Sequence, residues 1–232
     1  MGDLQFTLPP VEKSKKQVAY EFIKEHIVSG DFPAGSLLVE RQLCAMINTS
    51  RTPVREAIQQ LTAEGLVESI SAKGNVVSSI RYEDIARTYD VREYLESLAV
   101  RLCVQVCTDA QMEALAACTQ RMLEAYKSGD LVTMYQEDNQ FHLMIIQNSQ
   151  NTLLINIYES FLDSQIRRIT QLIGNNLEGM KKSNAHHQEL MEALRQRDGD
   201  LAEQVIRRHI QDSKISHLTL FAPNIQLRYP NN

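Results

Sequence analysis

The 232-residue sequence has no apolar run long enough to cross a bilayer, and its first residues lack the charged-then-apolar pattern of a secretory signal peptide. We therefore expect a cytoplasmic protein that is not inserted in a membrane. Hydrophobic residues make up 43% of the chain, which is enough to fill one large core or two modest ones.

Cysteine is scarce, and no two cysteines form a Cys-x2-Cys pair. Cys103 and Cys107 share a helix face, but no other thiols lie near them in the sequence. This spacing disfavours a zinc–thiolate site and indicates small buried apolar side chains, as for Cys44 and Cys118.

An excess of basic residues is also absent. The net charge is −5, and residues 11–75 contain eight Lys and Arg against eight Asp and Glu. DNA binding by such a chain depends on where its basic residues lie, because their number alone forms no basic surface. They concentrate at the starts of predicted helices and at one turn: Lys13, Lys15, Lys16, Arg41, Arg51, Arg55 and Lys73.

The stretch from Ser50 to Leu61 predicts a helix that presents arginines to an outside partner. Thr52 is a good N-cap and Pro53 suits the first helical position, so we expect the helix to begin at Pro53. A short amphipathic helix over residues 39–47 precedes it, with only residues 48–50 between them. Two short helices and a three-residue turn predict a helix-turn-helix. Its apolar positions are Leu43, Met46 and Ile47 in the first helix and Val54, Ala57, Ile58 and Leu61 in the second.

Two β-prone runs, residues 66–70 and 76–79, follow this motif and are joined by a polar turn that ends in Lys73-Gly74. The pattern is typical of a hairpin wing. An amphipathic helix over residues 13–29, with Val18, Phe22, Ile23 and Ile27 apolar, precedes the motif.

Residues 12–80 resemble the winged-helix domain of GntR-type bacterial transcription regulators. The resemblance rests on Pro33-Ala34-Gly35, Leu38-Val39-Glu40-Arg41-Gln42-Leu43, Ser50-Arg51-Thr52-Pro53-Val54-Arg55-Glu56-Ala57, Gly65-Leu66-Val67 and Gly74. It implies sequence-specific binding to operator DNA. The implied DNA-binding residues are Arg41, Ser50, Arg51, Thr52, Arg55, Gln59, Lys73 and Gly74. Helix-turn-helix proteins use a two-fold axis to engage a palindromic site, so we also expect a homodimer.

Beyond the hairpin the periodicity is helical throughout. The expected fold class is mainly α, with an N-terminal winged helix-turn-helix domain followed by an all-α antiparallel helical bundle. We expect a flexible arm (1–11), the DNA-binding domain (12–80), an effector-binding and dimerisation domain (81–221) and a tail (222–232). Helices are predicted over 82–106, from 109 after a Thr108–Gln111 capping box, after Ser128-Gly129-Asp130, over 152–173, and on both sides of Asp198-Gly199, with a loop over 174–179.

Four residues of the bundle form a candidate metal site. Asp138 and His142 lie one turn apart on a helix whose neighbouring residues on that face are apolar. His187 and His209 each share a face with apolar residues, and a hairpin at Asp198-Gly199 would bring them to the same height, roughly 15 Å from the turn. Three imidazoles and a carboxylate suit a divalent ion, with zinc favoured and nickel, manganese or iron as alternatives. His186 lies one residue out of register and is expected at the surface.

Residues 80–220 resemble the FCD-type ligand-binding domain of one large GntR subfamily. The matching residues are Arg92 to Glu96, Asp138 and His142, His187 with Leu190, Ala193 and Leu194, and Asp200 and Ala202 through His209. This resemblance implies a pocket in which a small organic acid or sugar acid lies against the metal. It also implies that Arg92 clamps the carboxylate of that effector. An intrahelical ion pair with Glu96 is the other interpretation of Arg92.

We expect a ligand-responsive transcription regulator, a repressor and not an enzyme. One alternative is the same regulator with a structural metal and no small-molecule effector. A metal-dependent hydrolase-like enzyme is more remote, because the spacing singles out no further carboxylate as a general base.

Overall fold

A computed structural model describes residues 13–173 and 177–228, and the described chain is mainly helical, as predicted. It divides into two compact units after Ser79. No helix in the described ranges is long and apolar enough to span a membrane.

The first unit packs three helices against a two-stranded hairpin, which confirms the winged helix-turn-helix fold. The strands are antiparallel, with Val67 opposite Val77 and Ile70 opposite Gly74. Ile23, Leu43 and Leu61 lie buried where the helices meet. The elements are α1 (Lys15–Val28), α2 (Glu40–Ile47), α3 (Arg51–Ala63), β1 (Val67–Ile70) and β2 (Gly74–Val77).

Helix α3 begins two residues earlier than the sequence indicates. Ser50 is extended and occupies the N-cap position without a side-chain capping hydrogen bond, so the prediction of Thr52 as the N-cap is wrong, and Pro53 is the third helical residue. The first four N–H groups of a helix have no intrahelical partner, so proline costs no hydrogen bond at either position. The predicted apolar face is correct: Val54, Ala57, Ile58 and Leu61 are buried.

Two apolar positions predicted for the core of this unit are exposed. Val18 near the start of α1 and Met46 on α2 are 42% and 54% exposed. Helix α2 has only eight residues and buries Leu43 alone, so its other flank remains in solvent. Gly74 begins β2 instead of ending the turn, with a φ of +93° that favours glycine.

The described part of the second unit is built of helices. Helix α10 packs along α4 and α9, while α5 packs along α6. The elements are α4 (Tyr82–Val106), α5 (Asp109–Ser128), α6 (Leu131–Asn148), α7 (Thr152–Ile157), a π-helical turn (Tyr158–Leu162), α8 (Asp163–Ile173), α9 (Leu177–Arg195) and α10 (Gly199–Arg228).

Local signals place several of these boundaries as predicted. The Thr108 hydroxyl accepts a hydrogen bond from the Gln111 N–H at 3.3 Å, and the Gln111 side chain accepts one from the Thr108 N–H at 2.9 Å. Gly129 ends α5 with a φ of +76°, and the Asp130 side chain caps α6. The capping box and the break between the two helices are therefore confirmed.

Three segments differ from the prediction or lie outside the described residues. The helix expected over 152–173 contains a π-helical turn at Tyr158–Leu162. Residues 177–179 of the expected loop belong to α9, whereas residues 174–176 lie outside the described ranges. Helix α10 continues to Arg228 through most of the expected tail, while residues 1–12 and 229–232 are not described.

Candidate functional site

Four side chains from three helices meet inside the second unit. Asp138 and His142 on α6, His187 on α9 and His209 on α10 each place one candidate ligand atom within 4.8 Å of the others. The three histidines are buried, and Asp138 is partly buried. The ring centroids of His187 and His209 are 4.5 Å apart. The structure thus brings together all four residues that the sequence assigns to a metal site.

The three imidazoles point their Nε2 atoms at one another. His142 Nε2 lies 3.3 Å from His187 Nε2 and 3.1 Å from His209 Nε2. Nδ1 of His142 lies 2.6 Å from a Glu96 oxygen and donates its hydrogen to that carboxylate, so Nε2 carries the lone pair whenever the ring is uncharged. One lone pair cannot accept two strong hydrogen bonds. A divalent cation would satisfy all three Nε2 atoms, and the residues therefore fit a metal.

The electrostatics of the cluster favour neutral imidazoles. Burial lowers the pKa of His187 to about 3, although Asp138 opposes that shift. Burial, assisted by His187 and His142, also lowers the pKa of His209 well below its ordinary value. Both rings are therefore neutral near pH 7, which is the form that ligates a metal.

Glu96 on α4 contacts His142 on the side of its ring that faces away from the other two imidazoles. One carboxylate oxygen accepts hydrogen bonds from Arg92 Nε at 2.5 Å and from the Tyr158 hydroxyl at 2.9 Å, while the other contacts His142 Nδ1. Burial by itself raises the pKa of Glu96, but Arg92 and His142 outweigh burial and hold that pKa at about 2. Glu96 is thus a buried anion shared by three side chains. The sequence indicated it only as an ion-pair partner for Arg92.

Arg92 forms the predicted intrahelical ion pair with Glu96, while its contact with an effector carboxylate stays a prediction. It is buried, it pairs with Glu96, and its guanidinium lies 5.4 Å from the centre of the Tyr89 ring. It also lines a cavity of about 310 Å³ beside the candidate metal ligands. Its Nη2 atom is buried and has no hydrogen-bond partner in the described protein. The guanidinium is thus fixed at one nitrogen and has a second donor unused.

The cavity lies between the cluster of three histidines and Asp138 and a wall of polar residues. Asp138 and His209 lie on its wall with Arg92, so one side of the cluster faces the cavity. Other described residues that line it are Tyr89, Met134, Tyr135, Thr170, Gly179, Met180, Lys182, Ser183, His186, Asp212, Ser213, Ile215, Ser216 and His217.

Two further histidines line the cavity without joining the cluster. His186 is 8% exposed, so the expectation that it lies at the surface is wrong. His186 faces α10, where its Nε2 lies 3.8 Å from an Asp212 oxygen and its ring centroid lies 6.0 Å from that of His209. His217 was not predicted from the sequence, and its Nδ1 lies 2.6 Å from the Tyr89 hydroxyl. It lies two turns beyond His209 on α10, and that spacing is the signal that could have found it.

All eight residues implied to contact DNA are exposed on the first unit. A groove between α3 and the wing is lined by Arg55 and Gln59 on one side and by Ser69 and Asn75 on the other. Arg55 Nε also pairs with Glu40 at 2.8 Å, and Lys13 pairs with Glu21 at 2.7 Å.

A winged helix-turn-helix unit followed by a helical unit that encloses a polar cavity is the architecture of a DNA-binding regulator with a ligand-binding domain. Residues 15–77 match the bacterial regulatory proteins of the gntR family, and residues 87–212, more than half of the chain, match the FCD domain. The chain belongs to the GntR family of bacterial transcription regulators and carries an FCD effector-binding domain. Members of this family bind operator DNA and often form dimers.

Named relatives extend over most of the chain. The Nta operon transcriptional regulator of Aminobacter aminovorans is 30% identical and aligns with 79% of this chain and 85% of its own. The HTH-type transcriptional repressor RspR of Escherichia coli K12 is 24% identical, with coverages of 88% and 89%. The structure of E. coli McbR/YncC is 20% identical, covers 90% of this chain and 98% of its own, and has a TM-score of 0.77. That last similarity concerns the fold alone.

Replacing His187 or His209 by alanine is expected to abolish metal retention. Each change removes one nitrogen ligand from a four-residue set. The rise in melting temperature on metal addition should disappear with it, because binding to the native state stabilises by mass action. Elemental analysis and thermal unfolding, with and without added zinc, measure both effects.

His217→Ala is the matched control for this experiment, since His217 is a partly buried histidine of the same helix as His209 but lies outside the cluster. His186→Ala is a second control on α9. Both variants should retain metal. Loss of metal from His186→Ala but not from His187→Ala would contradict the assignment of ligands.

Replacing Glu96 by glutamine is expected to lower the free energy of unfolding by about 3–5 kcal/mol near neutral pH, because it leaves Arg92 as a buried charge without a counter-ion. Metal affinity should fall roughly 10- to 100-fold as His142 loses its charged partner. Tyr158→Phe removes one hydrogen bond to the same carboxylate and should cost only about 1 kcal/mol.

Urea unfolding of both variants tests this prediction. The folded pKa of Glu96 is depressed from 4.5 to about 2, so its contribution is complete above pH 4.5 and is lost as the pH falls toward 2. The difference in free energy of unfolding between wild type and Glu96→Gln should therefore shrink as the pH falls from 4.5 toward 2. Equal stability of Glu96→Gln and Tyr158→Phe near neutral pH would refute the role given to the buried charge.

Proposed function

We propose that this regulator is a repressor that binds palindromic operator DNA as a homodimer and changes its operator affinity when a small carboxylate effector occupies the cavity. The effector would lie beside a divalent ion held by Asp138, His142, His187 and His209. The observation that carries this proposal is the cavity wall, where Asp138, His209 and Arg92 lie together. The repressor assignment draws on the relative RspR, which is named a repressor.

The cluster and Arg92 complement a carboxylate in different ways. When bound, a divalent ion would supply a positive charge that attracts an anionic oxygen of the effector. Arg92 supplies a directed donor, since Glu96 fixes Nε and leaves Nη2 without a partner in the described structure. A planar guanidinium recognises a carboxylate by such directed hydrogen bonds. The hydroxyls of Thr170, Ser183 and Ser213 on the same wall suit an organic acid that carries hydroxyl groups.

Glu96 connects the effector site to three structural elements. It lies on α4 and contacts His142 on α6 and Tyr158 in the π-helical turn. A carboxylate bound at Arg92 Nη2 would share the guanidinium charge with Glu96, which is held at Nε, and would so weaken the Arg92–Glu96 pair. Effector binding would therefore alter hydrogen bonds between elements of this domain, which is the differential interaction that a conformational response requires.

A structural metal without an effector is the rival proposal, and small-molecule binding separates the two. In the presence of a matching hydroxy acid, metal-loaded protein should melt at a higher temperature. At an acid concentration a hundred times the Kd, its free energy of unfolding should rise by about 2.7 kcal/mol. Chelated protein should respond weakly or not at all. Thermal unfolding against a panel of small organic acids and sugar acids, with and without zinc, measures this.

Arg92→Lys should weaken effector binding roughly tenfold or more while preserving the charge opposite Glu96, because lysine lacks the planar fork. Arg101→Lys is the matched control, since Arg101 lies on the same helix and pairs with Asp200 and Glu203 outside the cavity. Metal content should be unchanged in both. The effector proposal fails if no acid stabilises the metal-loaded protein, or if Arg92→Lys binds acids as well as wild type.

The homodimer proposal is supported by an apolar stripe on α4. Val91, Tyr94 and Leu98 recur at helical spacing and are 49%, 68% and 44% exposed. Exposed apolar side chains in one stripe are typical of a protein–protein contact. A second copy of the chain covering this stripe would supply the two-fold axis that a palindromic operator requires.

Leu98→Glu is expected to shift the protein from dimer to monomer, because it places a charge in the proposed contact. Val132→Glu is the control, since Val132 is 69% exposed on α6 and lies outside the stripe. Light scattering during size-exclusion chromatography reports the mass of each variant. A wild-type monomer, or a Leu98→Glu dimer as stable as wild type, would exclude this surface as the dimer contact.

A further inference from the structure

The guanidinium of Arg55 is attached to a second helix of the DNA-binding unit. Its Nε atom lies 2.8 and 2.9 Å from the two carboxylate oxygens of Glu40. Glu40 is the first residue of α2, and Arg55 lies on α3. The pair therefore bridges the two helices of the helix-turn-helix.

The ion pair with Glu40 leaves the two Nη nitrogens of Arg55 available for a DNA base. Nε carries one hydrogen and gives it to Glu40, while the hydrogen bonds recorded for Arg55 in the described chain involve neither Nη1 nor Nη2. The side chain of Arg55 is 58% exposed. A bidentate contact to guanine O6 and N7 uses two N–H groups, which the free nitrogens retain.

A contribution to folding stability does not explain the ion pair between Glu40 and Arg55. An ion pair with this much exposure contributes little to folding, because solvent screens it and holding two long side chains costs entropy. Glu40 and Arg55 also line, with Gln59, Ser69 and Asn75, the groove between α3 and the wing. The ion pair thus lies within the surface to which sequence-specific DNA contact is assigned.

We propose that Glu40 is a positioning residue for DNA recognition, which holds the Arg55 guanidinium so that its two Nη nitrogens meet a base edge. The proposal rests on the proposed role of Arg55 as a base-reading residue. Glu40 restricts the rotamers of Arg55 before DNA arrives, so less side-chain entropy is lost on binding a guanine. Its carboxylate also repels a DNA phosphate that approaches Arg55. This repulsion disfavours contacts with the DNA backbone, which carry no sequence information.

A competing explanation is that Glu40 only stabilises α2, since an acidic residue at a helix N-terminus interacts favourably with the helix dipole. Glu40→Asp separates the two explanations. Aspartate keeps the negative charge at the start of α2 but is one methylene shorter and cannot maintain the contact with Arg55 Nε. Glu40→Gln removes the charge at nearly the same length.

The experiment uses the full-length protein and a randomised duplex DNA library. Sites selected by wild type define the preferred bases, and fluorescence titrations then compare the selected duplex with single-base substitutions. Arg55→Ala should lose about 5- to 150-fold discrimination at one base pair. Glu40→Gln and Glu40→Asp should each lose roughly tenfold or more at that same base pair and little elsewhere. In the Arg55→Ala background, Glu40→Gln should change the preference no further.

Glu56→Gln is the matched control, because Glu56 is exposed, adjoins Arg55 on α3 and carries the same charge. Glu40→Gln and Glu56→Gln should both raise affinity for scrambled DNA, since each removes a negative charge near phosphate. Only Glu40→Gln should change base preference. Melting temperatures verify that each variant is folded, and Glu40→Asp carries the test if Glu40→Gln unfolds.

Three outcomes of these titrations would contradict the role proposed for Glu40. If Arg55→Ala loses discrimination while both Glu40 variants keep it, the positioning role is wrong although Arg55 reads a base. Wild-type discrimination in Glu40→Asp, with loss in Glu40→Gln, would show that charge alone matters and would also overturn the proposal. If Arg55→Ala keeps wild-type preference, the base-reading role of Arg55 itself is refuted, and the proposal for Glu40 is refuted with it.

Discussion

A carboxylate buried in a protein interior stays charged only if neighbouring groups replace the water it has lost. Glu96 obtains that replacement from Arg92, His142 and Tyr158, which come from α4, α6 and the π-helical turn. The same contacts direct His142 Nε2 toward the other imidazoles and fix the Arg92 guanidinium at the cavity. The candidate metal centre and the candidate effector site therefore share one buried anion, and neither geometry is independent of it.

Much of the second unit follows from helical periodicity and capping. The bounds of α4, the capping box at Thr108 and the break at Gly129 agree with the sequence, because each depends on residues within a few positions of one another. The convergence of His187 and His209 could also be anticipated, since a helical hairpin places positions equally far from its turn at the same height. The resemblance to a known family supplied the role of Arg92, which periodicity alone does not indicate.

The features that the sequence did not predict depend on distant partners. Glu96 and Tyr158 are 62 positions apart, and their hydrogen bond leaves no local pattern. His186 is buried against α10, where it contacts Asp212 and His209, and the apolar period of α9 alone does not show which neighbour covers that side of the helix. The start of α3 was misplaced because Thr52 and Ser50 are both good caps, and local propensity cannot choose between them.

The π-helical turn at Tyr158–Leu162 contains one residue more per turn than the α-helices on either side of it. The extra residue sets the angle by which the face of α8 is rotated about the helix axis relative to the face of α7, because each residue of an α-helix turns the chain by about 100°. Removing any one residue from the turn would rotate the buried Ile166 and Ile169 away from the core, or Tyr158 away from Glu96. The length of this segment is consequently more constrained than the identity of its exposed residues, so it should tolerate substitution better than deletion.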